Sequence, residues 1–211
     1  MIYELGRLRG DVRVALDENR RDLALLAEAD EDTLSLDELI GSKAEDGVRR
    51  VVASAPGYLL DGGRAIGGSV FWLDRGAGRI LLPDDFLRLR VFRMSDWERP
   101  VRDALTERDA EFGLQYSRYR GLRGNPQKPV VVITSGALGL MLEFFSCRSE
   151  SATVAEGVYI PMPRIDEHGG IEIPERLYRS AVYSTAALTA LTLGEGDLAG
   201  RLEELSNGLM I

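Results

Sequence analysis

The sequence contains few of the side chains that most often carry out chemistry. It has one cysteine, Cys147, and one histidine, His168. A single cysteine excludes an intramolecular disulfide and fits synthesis in a reducing compartment. The histidine lies in a glycine-containing loop, 166–170, with no neighbouring ligand to complete a metal site. We therefore expect His168 to be an exposed loop residue, and we expect no metal or other cofactor.

Long apolar runs are also missing. No stretch approaches the roughly 20 apolar residues that a membrane-spanning helix needs. The longest candidate, 129–147, is interrupted by polar residues and glycines. The first residues of the chain do not form the apolar core of a signal peptide. These absences predict a chain with no membrane contact and no targeting segment.

Lysine is scarce, and negative charge dominates. Lys43 and Lys128 are the two lysines of the chain, and its formal net charge is -8. Such a charge repels nucleic acid at long range, which excludes a general DNA-coating protein but still allows a local basic patch. Arginine is well suited to planar contacts at interfaces. A genome that favours arginine codons would explain the same preference.

The N-terminal part has the pattern of a helical hairpin. Apolar residues recur at helical spacing over 11–29. Ser35 and Glu38 form the signature of a capping box at the start of a second helix. That second helix is expected to end at Pro56 and Gly57.

The middle of the chain has the pattern of antiparallel strands. Alternating apolar residues and turn formers predict two hairpins, 70–73 with 79–82 and 130–133 with 140–145. Further strands are predicted over 87–93, with an arginine-rich face, and over 158–160. A short helix is predicted over 103–112.

Helices return at the C-terminus. Pro174 suits a first helical position, and Gly194 is expected to end that helix. Asp197 is a candidate N-cap for a final helix with leucines at helical spacing. Helices, then strands, then helices predict an α+β fold with an N-terminal helical hairpin, a central antiparallel β module and C-terminal helices. We expect a single domain, 1–211, with a helical part, 1–57 and 172–211, and an inserted β module, 68–165.

The loop 116–128 is the most suggestive local feature. It combines tyrosines with cations, and no acidic residue interrupts it. Cations beside aromatic rings can bind an acidic protein surface or a nucleic acid. They can also pair with carboxylates of their own chain, which would leave an ordinary exposed loop. Because the chain is acidic, we favour contact with a neighbouring subunit over contact with DNA. The expected contact residues are Arg118, Tyr119, Arg120, Arg123 and Lys128.

Catalytic motifs are missing from the sequence. It has no Gly-x-Ser-x-Gly elbow and no His-Glu-x-x-His zinc motif. Cys147 has His168 as its one possible histidine base. The pair Asp84 and Asp85 suits a turn better than a cation site. We therefore predict no enzymatic activity. The alternative is a small-molecule-binding domain or enzyme with a site near Cys147 and His168.

Two segments resemble a known family. The C-terminal segment 173–205 has an alanine-rich stretch, a glycine-containing break and a Leu-Ala-x-x-Leu helix, and 82–89 has a Pro-Asp-Asp-Phe start to a strand. These segments resemble tail tubular protein A and related phage head-to-tail adaptors, including structural proteins of Bacteroidetes phages and prophages. The predicted order of helices and strands is similar as well.

The resemblance implies a structural role in a virion. It implies a subunit without a catalytic step, made in the host bacterial cytoplasm, that assembles with copies of itself into a ring beneath the portal. Portal and tail proteins would be its other partners, and DNA would only pass through the channel. The basic loop 116–128 has no counterpart in the resemblance, so its role comes from its residues alone.

Overall fold

Helices occupy both ends of the chain and antiparallel sheets occupy the middle, which confirms the α+β prediction. The structure, a computed structural model, describes residues 1–19, 35–119, 121–145 and 147–210. The chain divides into two compact units, which we name the helical unit (Met1–Gly62 with Met162–Ile211) and the sheet unit (Gly63–Pro161). The predicted limits of the β module, 68 and 165, therefore lie a few residues too far along the chain.

The helical unit is built around one helix made of small residues. Strands β1 and β9 pair antiparallel, and the helices α1, α2 and α4 all contact α3. Serine, threonine and alanine side chains on α3 are buried, and they let its neighbours approach closely. The elements are β1 (Ile2–Glu4), α1 (Leu5–Asn19), α2 (Leu36–Ser54), β9 (Gly170–Glu172), α3 (Tyr178–Thr192) and α4 (Gly196–Gly208).

The contact between α2 and α3 depends on a glycine. A Cβ atom added at Gly47 would lie 2.8 Å from the Cα of Thr185, which is closer than real Cβ contacts allow. Both residues are buried where the helices meet. Position 47 is therefore a place where the backbones touch without a side chain between them.

The start and end of α2 follow the sequence prediction. The Ser35 hydroxyl accepts a hydrogen bond from the Glu38 backbone N–H at 3.3 Å, and the Glu38 carboxylate accepts one from the Ser35 backbone N–H at 2.9 Å. The Ser35 hydroxyl also donates to the Glu38 carboxylate at 2.8 Å, and this bond first, followed by the bond from the Ser35 backbone N–H, lowers the pKa of Glu38. The helix ends at Ser54, before Pro56 and Gly57. The capping box and the helix end are both confirmed.

The first helix begins earlier than predicted. It starts at Leu5 rather than at 11. Gly6 and Gly10 weaken the helical signal in this stretch, whereas burial of Leu8 and Val12 holds the first turns in place. The predicted continuation from 20 to 29 lies outside the described residues.

Two details at the C-terminus differ from prediction. Pro174 precedes a short 3₁₀ turn, Glu175–Leu177, so it is not the first residue of α3. Asp197 lies inside the first turn of α4, and the cap position is taken by Glu195, whose side chain does not cap the helix. The end of α3 is as expected, because Gly194 has φ 81°.

None of the helices within the described ranges is both long enough and apolar enough to span a membrane.

The described part of the sheet unit forms two antiparallel sheets. One has the order β2-β8-β5 and the other β3-β4-β7-β6. The predicted hairpins are confirmed as β3 with β4 and as β6 with β7. The strands predicted over 87–93 and 158–160 are confirmed, and they pair with each other as β5 and β8. The bounds are β2 (Arg64–Ala65), β3 (Phe71–Leu73), β4 (Ala77–Leu81), β5 (Phe86–Met94), β6 (Val131–Gly136), β7 (Gly139–Phe144) and β8 (Val154–Pro161).

Aromatic rings fill the main core of the sheet unit. Phe92 and Phe144 are fully buried, and Trp97 packs edge-on against both, with ring centroids 5.7 and 6.2 Å away. Trp72 meets Phe144 at 5.6 Å. Because these rings come from separate strands and loops, the core ties the two sheets to each other.

The helix predicted over 103–112 does not form. Instead, Leu105 pairs with β6, since its N–H donates to the Val131 carbonyl at 2.9 Å and its carbonyl accepts from the Ile133 N–H at 2.8 Å. The Asp109 carboxylate then accepts hydrogen bonds from the Thr106 N–H and hydroxyl, which lower the pKa of Asp109. Pairing with a distant strand and a side-chain-stabilised turn therefore replace the helix.

Candidate functional site

The loop 116–128, which we name the basic loop, presents cations and apolar groups to solvent. Arg118 and Lys128 are exposed, and so is Leu122. The Tyr119 ring is 60% exposed. The Arg118 guanidinium lies 5.0 Å from the centre of that ring and donates a hydrogen bond to the Tyr119 hydroxyl at 2.9 Å. The stacked pair is a planar, cationic surface suited to an acidic or aromatic partner.

Of the expected contact residues, Arg123 is buried, whereas Arg118, Tyr119 and Lys128 are exposed. Arg123 is 8% exposed, so its guanidinium belongs to the interior of the loop. Its expected role in direct partner contact is therefore wrong for this conformation, because a buried side chain cannot meet a partner surface. Arg120 lies outside the described residues. The sequence could not separate Arg123 from Arg118, because both occur in the same run of polar residues.

A buried carboxylate fixes the start of the basic loop. Glu143, on β7, is 3% exposed. Its carboxylate accepts hydrogen bonds from the Tyr116 hydroxyl at 3.0 Å and the Thr134 hydroxyl at 3.3 Å, and it pairs with the Arg79 guanidinium at 2.7 Å. Burial first, and then the negative charge of Glu143, raise the pKa of Tyr116 well above its usual range. The phenol therefore stays a hydrogen-bond donor, and the loop is attached to the sheet.

Apolar packing reinforces this attachment. The Tyr116 ring meets Phe145 edge-on at 5.6 Å and Phe112 at 5.4 Å. Phe145 belongs to a small buried cluster with Ala77 and Val132 on the outer side of the β3-β4-β7-β6 sheet. The segment before the basic loop therefore covers part of that sheet face and leads the chain into the loop.

Internal hydrogen bonds hold the loop in one shape. The buried Gln115 side chain accepts from the Gly124 N–H at 2.8 Å across the loop. The Asn125 side chain accepts from the N–H groups of Gln127 and Lys128, both at 3.0 Å, and forms a turn. Because both ends of the loop are bonded in this way, Arg118 and Tyr119 lie on an ordered support.

Sequence reasoning missed Glu143 and Gln115. Glu143 is the acidic residue in the apolar run 140–145, and a charged residue in such a run is the available signal of a buried, paired carboxylate. Gln115 has no comparable signal, because polar residues surround it in the sequence.

Cys147 is unsuited to act as a nucleophile. It is buried beside Asp96 and Trp97. Burial first, then the negative charge of Asp96 and a hydrogen bond to it, raise the pKa of Cys147 to about 12. A reactive cysteine needs the opposite change, a lowered pKa in a cationic and accessible environment. At neutral pH this thiol therefore remains protonated.

His168 is exposed, as expected, and lies in the helical unit, whereas Cys147 lies in the sheet unit. Its loop is organised by Asp166, whose carboxylate accepts from the N–H groups of Gly170 at 2.7 Å and of His168 at 2.8 Å. These two bonds lower the pKa of Asp166. The carboxylate therefore stabilises a turn.

Asp85 is occupied by hydrogen bonds within the sheet unit. One of its oxygens accepts from the Tyr159 hydroxyl at 2.7 Å, and the other pairs with Arg64 at 2.7 Å. Burial and then this bond to Asp85 raise the pKa of Tyr159. Asp85 thus links β5 with β2 and β8. Among the described residues, no group of three or more His, Cys, Asp or Glu side chains could hold a metal ion.

Two open depressions lie among the described residues of the helical unit. One of about 280 Å³ lies between α1 and α3, where the Tyr178 hydroxyl donates to Asp11 at 2.6 Å. The other, of about 620 Å³, is a shallow groove lined by residues of α2, α3 and α4, Ser184 and Glu203 among them. Both are open to solvent, whereas most small-molecule sites enclose the larger part of their ligand.

Comparison with known proteins adds no family to this description. A scan against protein-family models finds no match. A search of the curated proteins likewise finds no match.

Proposed function

We propose that this chain is a head-to-tail adaptor subunit of a phage-type particle, which acts by assembling with copies of itself into a ring between portal and tail proteins. The observation that carries the proposal is the division of charge between its units. The helical unit has 12 basic and 22 acidic residues, a net charge of -10, and the sheet unit has 14 basic and 12 acidic residues, a net charge of +2. Oppositely charged units favour head-to-tail contact between copies.

The chain order of the elements supports the proposal. The sheet unit is one continuous insertion between α2 and α3 of the helical unit. This is the arrangement that the resemblance to head-to-tail adaptors implies. The alanine-rich helix and the Leu-Ala-x-x-Leu helix of the resemblance correspond to α3 and α4.

The chemistry of the candidate residues favours a structural role over the enzyme alternative. The thiol of Cys147 is protonated at neutral pH, and the carboxylates Asp85 and Asp166 bond to groups of their own chain. The most distinctive surface is instead an ordered, exposed loop of cations and aromatic rings. A surface of this kind binds another macromolecule and performs no chemical step.

The proposed ring has a consequence for DNA. A channel lined by the acidic helical unit would repel the phosphate backbone, so a duplex would slide through without sticking. The chain would then belong to the virion, where DNA passes it as cargo. The net charge of -8 is consistent with this role.

Gene position and assembly with the portal test the proposal. We expect genes for portal, capsid and tail proteins beside the gene for this chain. Purified full-length chain, mixed with that portal protein, is expected to form rings in electron micrographs. Metabolic genes on both sides, or a chain that stays monomeric with and without the portal protein, would contradict the proposal.

A further inference from the structure

One surface of the sheet unit and one of the helical unit have opposite charges, and both also expose apolar side chains. The first is the exposed part of the basic loop, with the charges of Arg118 and Lys128 beside the apolar groups of Tyr119 and Leu122. No acidic residue occurs between 116 and 128. This surface would leave several unpaired cations if it met anything other than negative charge.

The second surface lies on α4, and we name it the α4 outer face. Buried residues of the helix such as Leu198 and Leu202 face α3, the carboxylates of Asp197 and Glu204 lie on the opposite side, and exposed leucines border that side. Arg201 is the one basic residue of α4. Leu205 and Leu209 are 41% and 42% exposed and are four residues apart, so they lie next to each other about one helical turn apart. The residues of the α4 outer face are Asp197, Glu204, Leu205 and Leu209, the last of which directly follows the helix.

We infer that the basic loop of one copy docks on the α4 outer face of the next copy. The inference rests on the proposed ring and names its interface. Cations of the loop would face the carboxylates of α4, and the side chains of Tyr119 and Leu122 would cover Leu205 and Leu209. Charge complementarity between the two surfaces, and between the units that carry them, argues for a second copy as the partner.

The geometry of such a contact fits ring formation. The two surfaces are different parts of one chain, so the interface is heterologous, and each copy keeps one free surface of each kind. Heterologous contacts continue from copy to copy, and they form a ring when the rotation between neighbouring copies closes. The loop enters the contact already ordered by Glu143 and Gln115, so little conformational freedom is lost on docking.

Charge reversal in two variants tests the inference. The loop variant has Arg118→Glu with Lys128→Glu, and the helix variant has Asp197→Arg with Glu204→Arg. In each variant alone, like charges would meet at the contact, and we expect its dissociation constant for self-association to rise at least about tenfold. An equal mixture of the two variants brings opposite charges together again, and we expect association to return. Analytical ultracentrifugation of the full-length chains over a range of salt concentrations measures both effects.

Two control variants carry the same changes of charge elsewhere. Arg99→Glu with Arg102→Glu changes exposed cations of the sheet unit outside the basic loop. Glu167→Arg with Glu175→Arg changes exposed carboxylates of the helical unit away from α4. Both controls should associate as the native chain does. Circular dichroism melting of every variant shows whether the fold has been kept.

The outcomes separate this inference from the proposed function. Rings that persist in both variants would overturn the interface and leave the adaptor proposal standing. Salt-sensitive association that the mixture restores, but that ends in dimers even with the portal protein, would support the interface and contradict the ring. If the loop variant loses binding to a DNA duplex while its self-association is unchanged, the partner of the loop is nucleic acid, and the inference is wrong.

Discussion

Ser180 and Ser206 join α3 to α4 by two reciprocal hydrogen bonds. The Ser180 hydroxyl donates to the Ser206 carbonyl at 3.0 Å, and the Ser206 hydroxyl donates to the Ser180 carbonyl at 2.9 Å. Both side chains are buried. Small hydroxyl residues thus bring the helices close together and also provide the polar contact between them.

Replacing either serine with alanine should weaken the α3–α4 contact. We expect Ser180→Ala and Ser206→Ala each to lower the free energy of unfolding by about 1 kcal/mol, because each change removes one buried hydrogen bond. Urea denaturation followed by circular dichroism measures the difference. Ser42→Ala is the matched control, since that exposed hydroxyl bonds only within its own helix. Equal stability of all three variants would contradict this account.

Gly47→Ala should destabilise the helical unit. The new methyl group would collide with the backbone of Thr185, so α2 and α3 would have to separate. We expect a loss of about 1–3 kcal/mol in the free energy of unfolding, the usual cost of overpacking.

The control for this change is Gly10→Ala in α1, where an added Cβ meets nothing within 4 Å. That change should raise stability by up to about 1 kcal/mol, because alanine favours a helix more than glycine does. The two glycines should therefore respond in opposite directions in thermal melts, and a shared direction would count against the close contact.

Removing Glu143 should release the basic loop from the sheet. Glu143→Ala leaves the Tyr116 and Thr134 hydroxyls without their acceptor and Arg79 without its ion pair. We expect a loss of about 2 kcal/mol in the free energy of unfolding, typical of hydrogen bonds to a charged group. Limited trypsin digestion should then cut after Arg118 faster than in the native chain. Glu156→Ala, at an exposed residue of β8, is the control. An unchanged digestion rate would show that Glu143 does not hold the loop.

Cys147 should react slowly with thiol reagents. Its pKa of about 12 leaves almost no thiolate at pH 8, and burial blocks access to the sulfur. We expect the native chain to react with a disulfide reagent at least about a hundredfold more slowly than the chain unfolded in urea. A native rate close to the unfolded one would reopen the hypothesis of a catalytic cysteine.

The same thiol should make the fold sensitive to alkali. Its pKa is raised in the folded chain from an ordinary value near 9 to about 12. The unfolded chain therefore loses this proton first, and the stability that the protonated thiol contributes is complete below pH 9 and declines as the pH rises toward 12. Between pH 9 and 10, Cys147→Ala should show a shallower loss of stability than the native chain in denaturation curves. Parallel curves would contradict the raised pKa.

Local signals in the sequence predicted the elements that local contacts build. The capping box of Ser35 and Glu38 connects residues three positions apart, and the hairpin of β6 and β7 needs only the turn at 137–138. The arrangement of the two sheets could not be read in the same way. Strand β5 pairs with β8, and β1 pairs with β9, so the partners come from distant parts of the chain. No periodicity within one segment identifies a distant partner.

The sequence predicted the candidate site only in part, because it does not show which side chains are buried. The sequence identified the basic loop because its cations occur together, but it could not show that Arg123 is buried and Arg118 exposed. The failed helix over 103–112 has the same cause, since backbone pairing of Leu105 with β6 outweighs the helical preference of the segment. Burial and long-range pairing depend on the whole fold, and single-segment patterns do not contain them.

The backbone contact at Gly47 also constrains how this chain can diverge. Any relative that keeps the crossing of α2 and α3 must keep glycine at position 47, because no larger residue fits above the Thr185 backbone. A small residue opposite it, on α3, is needed for the same reason. We therefore expect these two positions to vary less among relatives than the other buried positions of the helical unit.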